Sequence, residues 1–114
     1  MSSDLVLKRL LHIRDNICHA RDFLAGLDFD AFAADQKTVY ATMRALEIIS
    51  EASRHLPEDL KARHPEIDWV AVRDAGNVYR HGYELVTEQR LWDTITKHLA
   101  PLENAVLDEL SRLA

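Results

Sequence analysis

The sequence predicts an all-α fold: an up-and-down bundle of four or five antiparallel helices, in one domain spanning residues 1–114. Three observations point there. Apolar residues recur at spacings of three and four along nearly the whole chain of 114 residues. Glycine and proline number three each, too few for the many turns of an all-β chain. Side chains suited to capping or stopping helices fall between the periodic segments.

The first predicted helix runs from about Asp4 to Leu24, with Leu10, Ile13, Ile17, Ala20 and Leu24 on one face. Ser3 or Asp4 can cap its start, and Gly26 marks its end. Leu27 to Phe32 reads as a short connection with apolar anchors. A second helix is expected from about Ala33 to Leu56, its face formed by Thr42, Leu46, Ile49, Ser53 and Leu56 and flanked by Val39, Met43 and Ala45. Pro57 stops it. Glu58 to Arg63 forms a short helical piece that Pro65 ends. Asp68 is the expected N-cap of the next helix, which starts at Trp69, reaches at least Tyr79 and breaks near Gly82. Thr87 caps the last stretch, whose apolar register is Leu91, Ile95, Leu99, Leu102, Val106, Leu110 and Leu113. Pro101 lies inside that stretch and should kink or split it, because it lacks an N–H and clashes one turn back. Leu5, Leu7, Leu11, Ile48 and Leu107 lie beyond these stripes, a surplus that suits a partner chain and predicts a dimer.

Composition narrows the function. The formal net charge is −5, so contact with nucleic acid must be confined to a local basic patch. The apolar share of 47% and charged share of 29% are those of a globular domain rather than a disordered chain. No apolar run approaches the roughly 20 residues of a membrane span, and no signal-peptide pattern opens the chain, so a cytoplasmic location is expected. The single cysteine, Cys18, cannot form an internal disulfide. It neighbours the apolar stripe at Ile17 and is expected to be packed.

The segment from Arg73 to Glu84 holds the candidate chemistry. Arg73, Asn77 and His81 are four apart, a polar row down one helix face, with Asp74 and Arg80 at its edges. An imidazole transfers protons near neutral pH. A guanidinium binds phosphate and stabilises added transition-state charge. An asparagine amide can orient either group. Together they suit metal-independent cleavage of RNA: the 2′-hydroxyl attacks its own phosphate, the 5′-oxygen leaves, and a 2′,3′-cyclic phosphate results. DNA lacks that hydroxyl and would be spared. The plain alternative is a solvated face with basic residues favoured at a helix C-terminus.

Elsewhere the signals are weaker. Glu47, Glu51 and His55 form an i, i+4 row, but the repeated glutamate–histidine spacing of three that marks di-iron bundles is missing, so no metal is expected. His12, His19, His64 and His98 show no ligand spacing, and Asp15–His19 reads as an i, i+4 pair. Trp69 and Trp92 read as core or interface anchors. No glycine-rich phosphate loop or zinc-type cysteine pair occurs, and no cofactor is expected.

The stretch Asn77-Val78-Tyr79-Arg80-His81-Gly82-Tyr83 resembles the signature of the HEPN superfamily, in its HepT-like branch. Arg44 to Ala52 resembles that branch's second-helix pattern, Pro65 to Trp69 the lead into its third helix, and Leu91-Trp92 the start of its last helical stretch. The resemblance runs from about Leu5 to Leu110. It implies an all-α bundle that dimerises to bring two motifs into one cleft, with ribonuclease toxin activity that needs no metal. It also implies a minimal nucleotidyltransferase as antitoxin, which in some pairs transfers AMP to the tyrosine two residues past the motif histidine, here Tyr83. A bulky anion beside His81 would block the cleft and repel RNA. By the same resemblance Glu51 faces the motif helix and holds Arg73 or His81. In the family motif four to six residues separate an arginine from the histidine. Here Gly76 stands at the position five before His81, Arg73 has seven residues between it and His81, and Arg80 is adjacent. The catalytic candidates are therefore His81 as general acid/base, Arg80 or Arg73 as phosphate clamp and Asn77 as orienting amide, with Glu51 and Asp74 in support. The displaced arginine keeps a second reading open, a non-catalytic nucleotide- or substrate-binding subunit of a nucleotidyltransferase. A third is a purely structural helical dimer.

Overall fold

The computed structural model describes residues 3–114. All regular structure among them is helical. Helix α1 (Ser3–Leu24) buries Leu10, Ile13, Ile17, Ala20 and Leu24, the stripe its spacing predicts. Each fully buried Leu or Ile contributes about 1.5–3 kcal/mol of apolar transfer. Ser3 and Asp4 both lie inside the first turn rather than before it. Gly26 follows the helix at φ +79°, a left-handed conformation that L side chains adopt at a cost. Cys18 departs from expectation and is exposed, because one residue past Ile17 is about 100° round the helix, beyond the buried stripe. Asp15 pairs with Arg14 at 3.0 Å instead of His19, which stacks on Phe23.

The expected connection after Gly26 contains a helix, α2 (Phe29–Ala34). Asp28 caps it by accepting a bond from the Ala31 N–H at 2.8 Å. Phe32 is fully buried and, with Phe29, packs against Trp92 at ring-centroid distances of 5.5 and 5.9 Å. Six residues are too few to show a helical period, so nothing in the sequence signalled this helix. Helix α3 (Gln36–Arg54) starts three residues later than expected, since Asp35 is extended and separates it from α2. Its buried face matches the predicted one. The short α4 (Glu58–Ala62) follows Pro57.

Helix α5 (Trp69–His81) begins at the predicted cap, where Asp68 accepts from the Ala71 N–H at 3.0 Å. It ends at Gly82, whose N–H reaches the Val78 carbonyl. A single 3₁₀ turn, Tyr83–Leu85, leads to Thr87, which caps α6 (Glu88–Asp93). The predicted split at Pro101 takes a specific form. Thr94–His98 is a π-helical stretch, and α7 (Ala100–Leu113) restarts with Pro101 in its first turn. Widening the ladder before the proline accommodates its missing N–H and the clash of its ring with the preceding turn.

Helix α3 lies between α1 and α5, and α7 packs on α1. Trp69 and Trp92 are half-buried against the core, and the Trp69 indole N–H donates to the carbonyls of Lys61 and His64. Of the surplus apolar residues, Leu5, Leu7 and Leu107 are exposed, while Leu11 and Ile48 are half-buried. No helix among the described residues is long and apolar enough to cross a membrane.

Candidate functional site

Helix α5 is attached to the bundle through α3, and its closest approach is at Gly76, its one fully buried residue. The Ser50 hydroxyl accepts from the Gly76 N–H at 3.0 Å and donates toward the carbonyls of Val72 and Arg73 at 2.7 and 3.0 Å. A Cβ at position 76 would collide with Ser50 Oγ and lie 2.9 Å from the Ser50 Cβ. Position 76, where the resemblance to the HepT-like branch implies an arginine, is therefore filled by helix-to-helix contact. A long side chain there would have to push α5 off α3.

One turn beyond this contact, Arg80 reaches back to α3. Its Nη1 donates to Glu51 Oε2 at 3.2 Å and its Nη2 to Asn77 Oδ1 at 2.8 Å, while Nε lies 4.0 Å from Glu47 Oε2. Glu51 uses its other oxygen to meet His55 Nε2 at 3.0 Å, and Arg54 stands 3.8 Å away. The bonds from His55 and then Arg80 hold the Glu51 carboxyl below its ordinary range. Two of the five guanidinium N–H groups of Arg80 are used in this lattice, so others stay available to an anion.

Glu51 faces the motif helix, but it holds Arg80 rather than Arg73 or His81. Helix geometry accounts for this. Arg73 lies seven residues before Arg80, about 10 Å along the axis, and His81 is turned about 100° further round. Arg73 instead pairs with Asp74 at 3.0 Å, and both are half-exposed. His81 is exposed at the last position of α5. Tyr83 follows in the 3₁₀ turn and is 60% exposed, with Leu85 beside it at 76%. The structure thus joins Arg80, Asn77 and Glu51, and leaves His81 and Tyr83 open to solvent next to them. Glu47 and Glu51 do not converge with His55 as a ligand set, because Glu47 is taken by Arg44 at 2.6 Å.

Beside Arg80 opens a notch of about 180 Å³, lined among others by Arg9 and His12 of α1 and by Arg44, Glu47 and Glu51 of α3. No sequence signal tied α1 to this place, since the contact arises from packing between helices. A larger groove of about 460 Å³ lies on the other flank of α5, with an apolar floor that includes Leu46, Ile49, Val72, Tyr79 and Leu102.

A second polar cluster is remote in sequence. Buried His64 meets Glu109 at 2.6 Å, and Arg63 forks onto the same carboxylate at 2.6 and 3.1 Å. His64, Asp108 and Glu109 offer ligand atoms within 4.8 Å of one another. The Arg63 fork already occupies the carboxylate, so the cluster acts as a clasp between α7 and the turn after α4. His64 was unremarkable in the sequence because its partner is 45 residues away.

Comparison with known proteins follows the same line. A family model described as "Ribonuclease HepT-like" matches residues 13–108. A protein named "Probable ribonuclease HepT" from Thermococcus cleftensis is 38% identical over 82 residues, covering 72% of this chain and 74% of that one. "Putative RNase MJ0127" from Methanocaldococcus jannaschii is 33% identical over 86 residues, covering 75% and 71%. "Putative RNase TTE0752" from Caldanaerobacter subterraneus subsp. tengcongensis is 31% identical over 87 residues, covering 76% and 78%. No solved structure matches the chain significantly. With a family match over most of its length and relatives above 30% identity, the chain belongs to the HepT-like ribonuclease family.

Proposed function

We propose that the chain is a metal-independent endoribonuclease toxin that cleaves RNA by attack of the 2′-hydroxyl on the adjacent phosphate. One observation carries the reading: the Arg80 guanidinium is held in place by Asn77 and Glu51, one residue before an exposed His81 at a helix end. A fixed guanidinium suits a phosphate whose charge grows in the transition state, because it needs no reorganisation. His81 takes the 2′-hydroxyl proton or delivers one to the leaving 5′-oxygen. The names of the relatives as ribonucleases support the same substrate class.

His81 and Arg80 diverge by about 100° around α5, so one copy presents them to different sides. A homodimer that lays two α5 helices together would let the imidazole of one copy face the guanidinium of the other. Exposed Val70, Tyr83 and Leu85 along and just beyond α5 give such a pairing an apolar margin.

The antitoxin in this reading is a minimal nucleotidyltransferase. The Tyr83 phenol attacks the α-phosphate of ATP, pyrophosphate leaves, and the AMP ester stands two residues from His81. Exposure of Tyr83 makes the oxygen accessible.

The test uses single-stranded RNA and DNA of one sequence. The free chain is expected to cut the RNA only. Co-expression with the nucleotidyltransferase is expected to add whole AMP units at Tyr83 and to remove the activity. Absence of cleavage by the free chain, together with a co-purified nucleotidyltransferase, would select the binding-subunit reading that Gly76 in place of the arginine favours.

A further inference from the structure

Arg9, which lines the notch beside Arg80, carries a buried donor with no acceptor. Arg9 Nε is shielded from solvent and has no hydrogen-bond partner among the described residues. A buried, unsatisfied donor of a charged group is costly, and a water or an anion would relieve it. The charges around it favour an anion. Arg9, Arg44 and Arg80 share the notch with two carboxylates, Glu47 and Glu51. Those carboxylates are already engaged, Glu47 by Arg44 and Glu51 by His55 and Arg80. The balance is one positive charge, in a chain whose overall charge is −5. A compact anion fits this chemistry, and a volume of about 180 Å³ accommodates a phosphate group with bridging waters.

We propose that the notch of Arg9, His12 and Arg44 is a second phosphate subsite, which seats a backbone phosphate of single-stranded RNA next to the one held by Arg80. The inference rests on the ribonuclease reading for the identity of the strand. Arg80 belongs to both places, so a chain of phosphates passing from α5 across α3 to α1 meets cations in succession. This is the local basic patch that an acidic nucleic-acid-binding chain requires.

A short 2′-O-methyl RNA tests it, because that strand lacks the nucleophile and is bound without being cut. Binding is measured by fluorescence anisotropy across a series of salt concentrations. For Arg9→Gln, affinity is expected to fall about fivefold to tenfold and the salt slope to drop by about 0.7, the loss of one single-strand phosphate contact. Arg9→Lys restores most of the affinity. Arg44→Gln, at the exposed rim of the notch, gives the same direction of change and covers the case in which Arg9→Gln fails to fold. Unchanged affinity and slope in the folded variants overturn the proposal, as does failure of the wild-type chain to bind. A variant that weakens self-association while leaving RNA binding intact also overturns it, assigning the notch to a carboxylate of a second copy. Arg9-dependent binding in a chain that cuts no RNA retains the subsite and rejects the nuclease reading.

Discussion

His81→Ala is expected to lower the rate of RNA cleavage by about 10²–10⁴-fold, the usual contribution of a positioned acid/base group. The fold should not change, because the His81 side chain is exposed at the last position of α5 and Gly82 ends the helix regardless. Arg80→Ala should lose about 10²–10³-fold, the cost of removing one preorganised donor to developing charge. It also leaves Asn77 and Glu51 without the group they hold. Arg73→Ala serves as the contrast. That side chain pairs with Asp74 on an exposed face some two turns away, so its loss should change the rate little. Single-turnover cleavage rates, with melting curves on each variant, check the series. Equal rates for wild type and His81→Ala would remove the imidazole from the chemistry, and a large loss for Arg73→Ala would transfer the clamp to that residue.

Glu109→Ala is expected to destabilise the fold by about 3 kcal/mol, a fall in Tm on the order of 10 °C. Glu109 is 3% exposed and satisfies buried His64 together with the Arg63 fork, while Asp108 and Arg112 stand at the margin of the cluster. Truncation removes the acceptor and strands its donors. Glu109→Gln keeps the shape and one acceptor, and should lose less. The pH dependence has a definite sign. Arg63 foremost, and then His64, hold the Glu109 carboxyl below its ordinary value of 4.5 against the upward push of burial. A depressed carboxyl contributes stability that is complete above the ordinary value and is lost as pH falls through the depressed one. Wild type should therefore lose its margin over Glu109→Gln as the pH drops below about 4.5, in urea melts read at neutral and acid pH. An identical Tm for wild type and Glu109→Ala would show the clasp to be energetically idle.

Much of the architecture is written in local signals. Asp68, Thr87 and Gly82 do their work within four residues of their own position, so both ends of α5 and the start of α6 follow from reading neighbours. The buried stripe of α1 likewise needs only its own period. What depends on contact between distant segments was not legible. Helix α2 takes its reason from Trp92, some sixty residues on. Gly76 is a glycine because Ser50 sits where a Cβ would go, a constraint that acts across 26 residues. The candidate site shows the same divide. The polar row of α5 could be seen from its spacing of four, but the choice between Arg80 and Arg73 required knowing which one α3 faces. The contribution of Arg9 to the same notch had no sequence signal, since arginine on an amphipathic helix is ordinary.

The chemical identity of the cut ends tests the mechanism most directly. Wild-type chain incubated with RNA and excess chelator is expected to leave 2′,3′-cyclic phosphate on the upstream fragment and a 5′-hydroxyl on the downstream one, with neither formed by His81→Ala. Ends bearing a 3′-hydroxyl and 5′-phosphate, or cleavage that the chelator abolishes, would contradict an Arg80–His81 mechanism acting through the ribose hydroxyl.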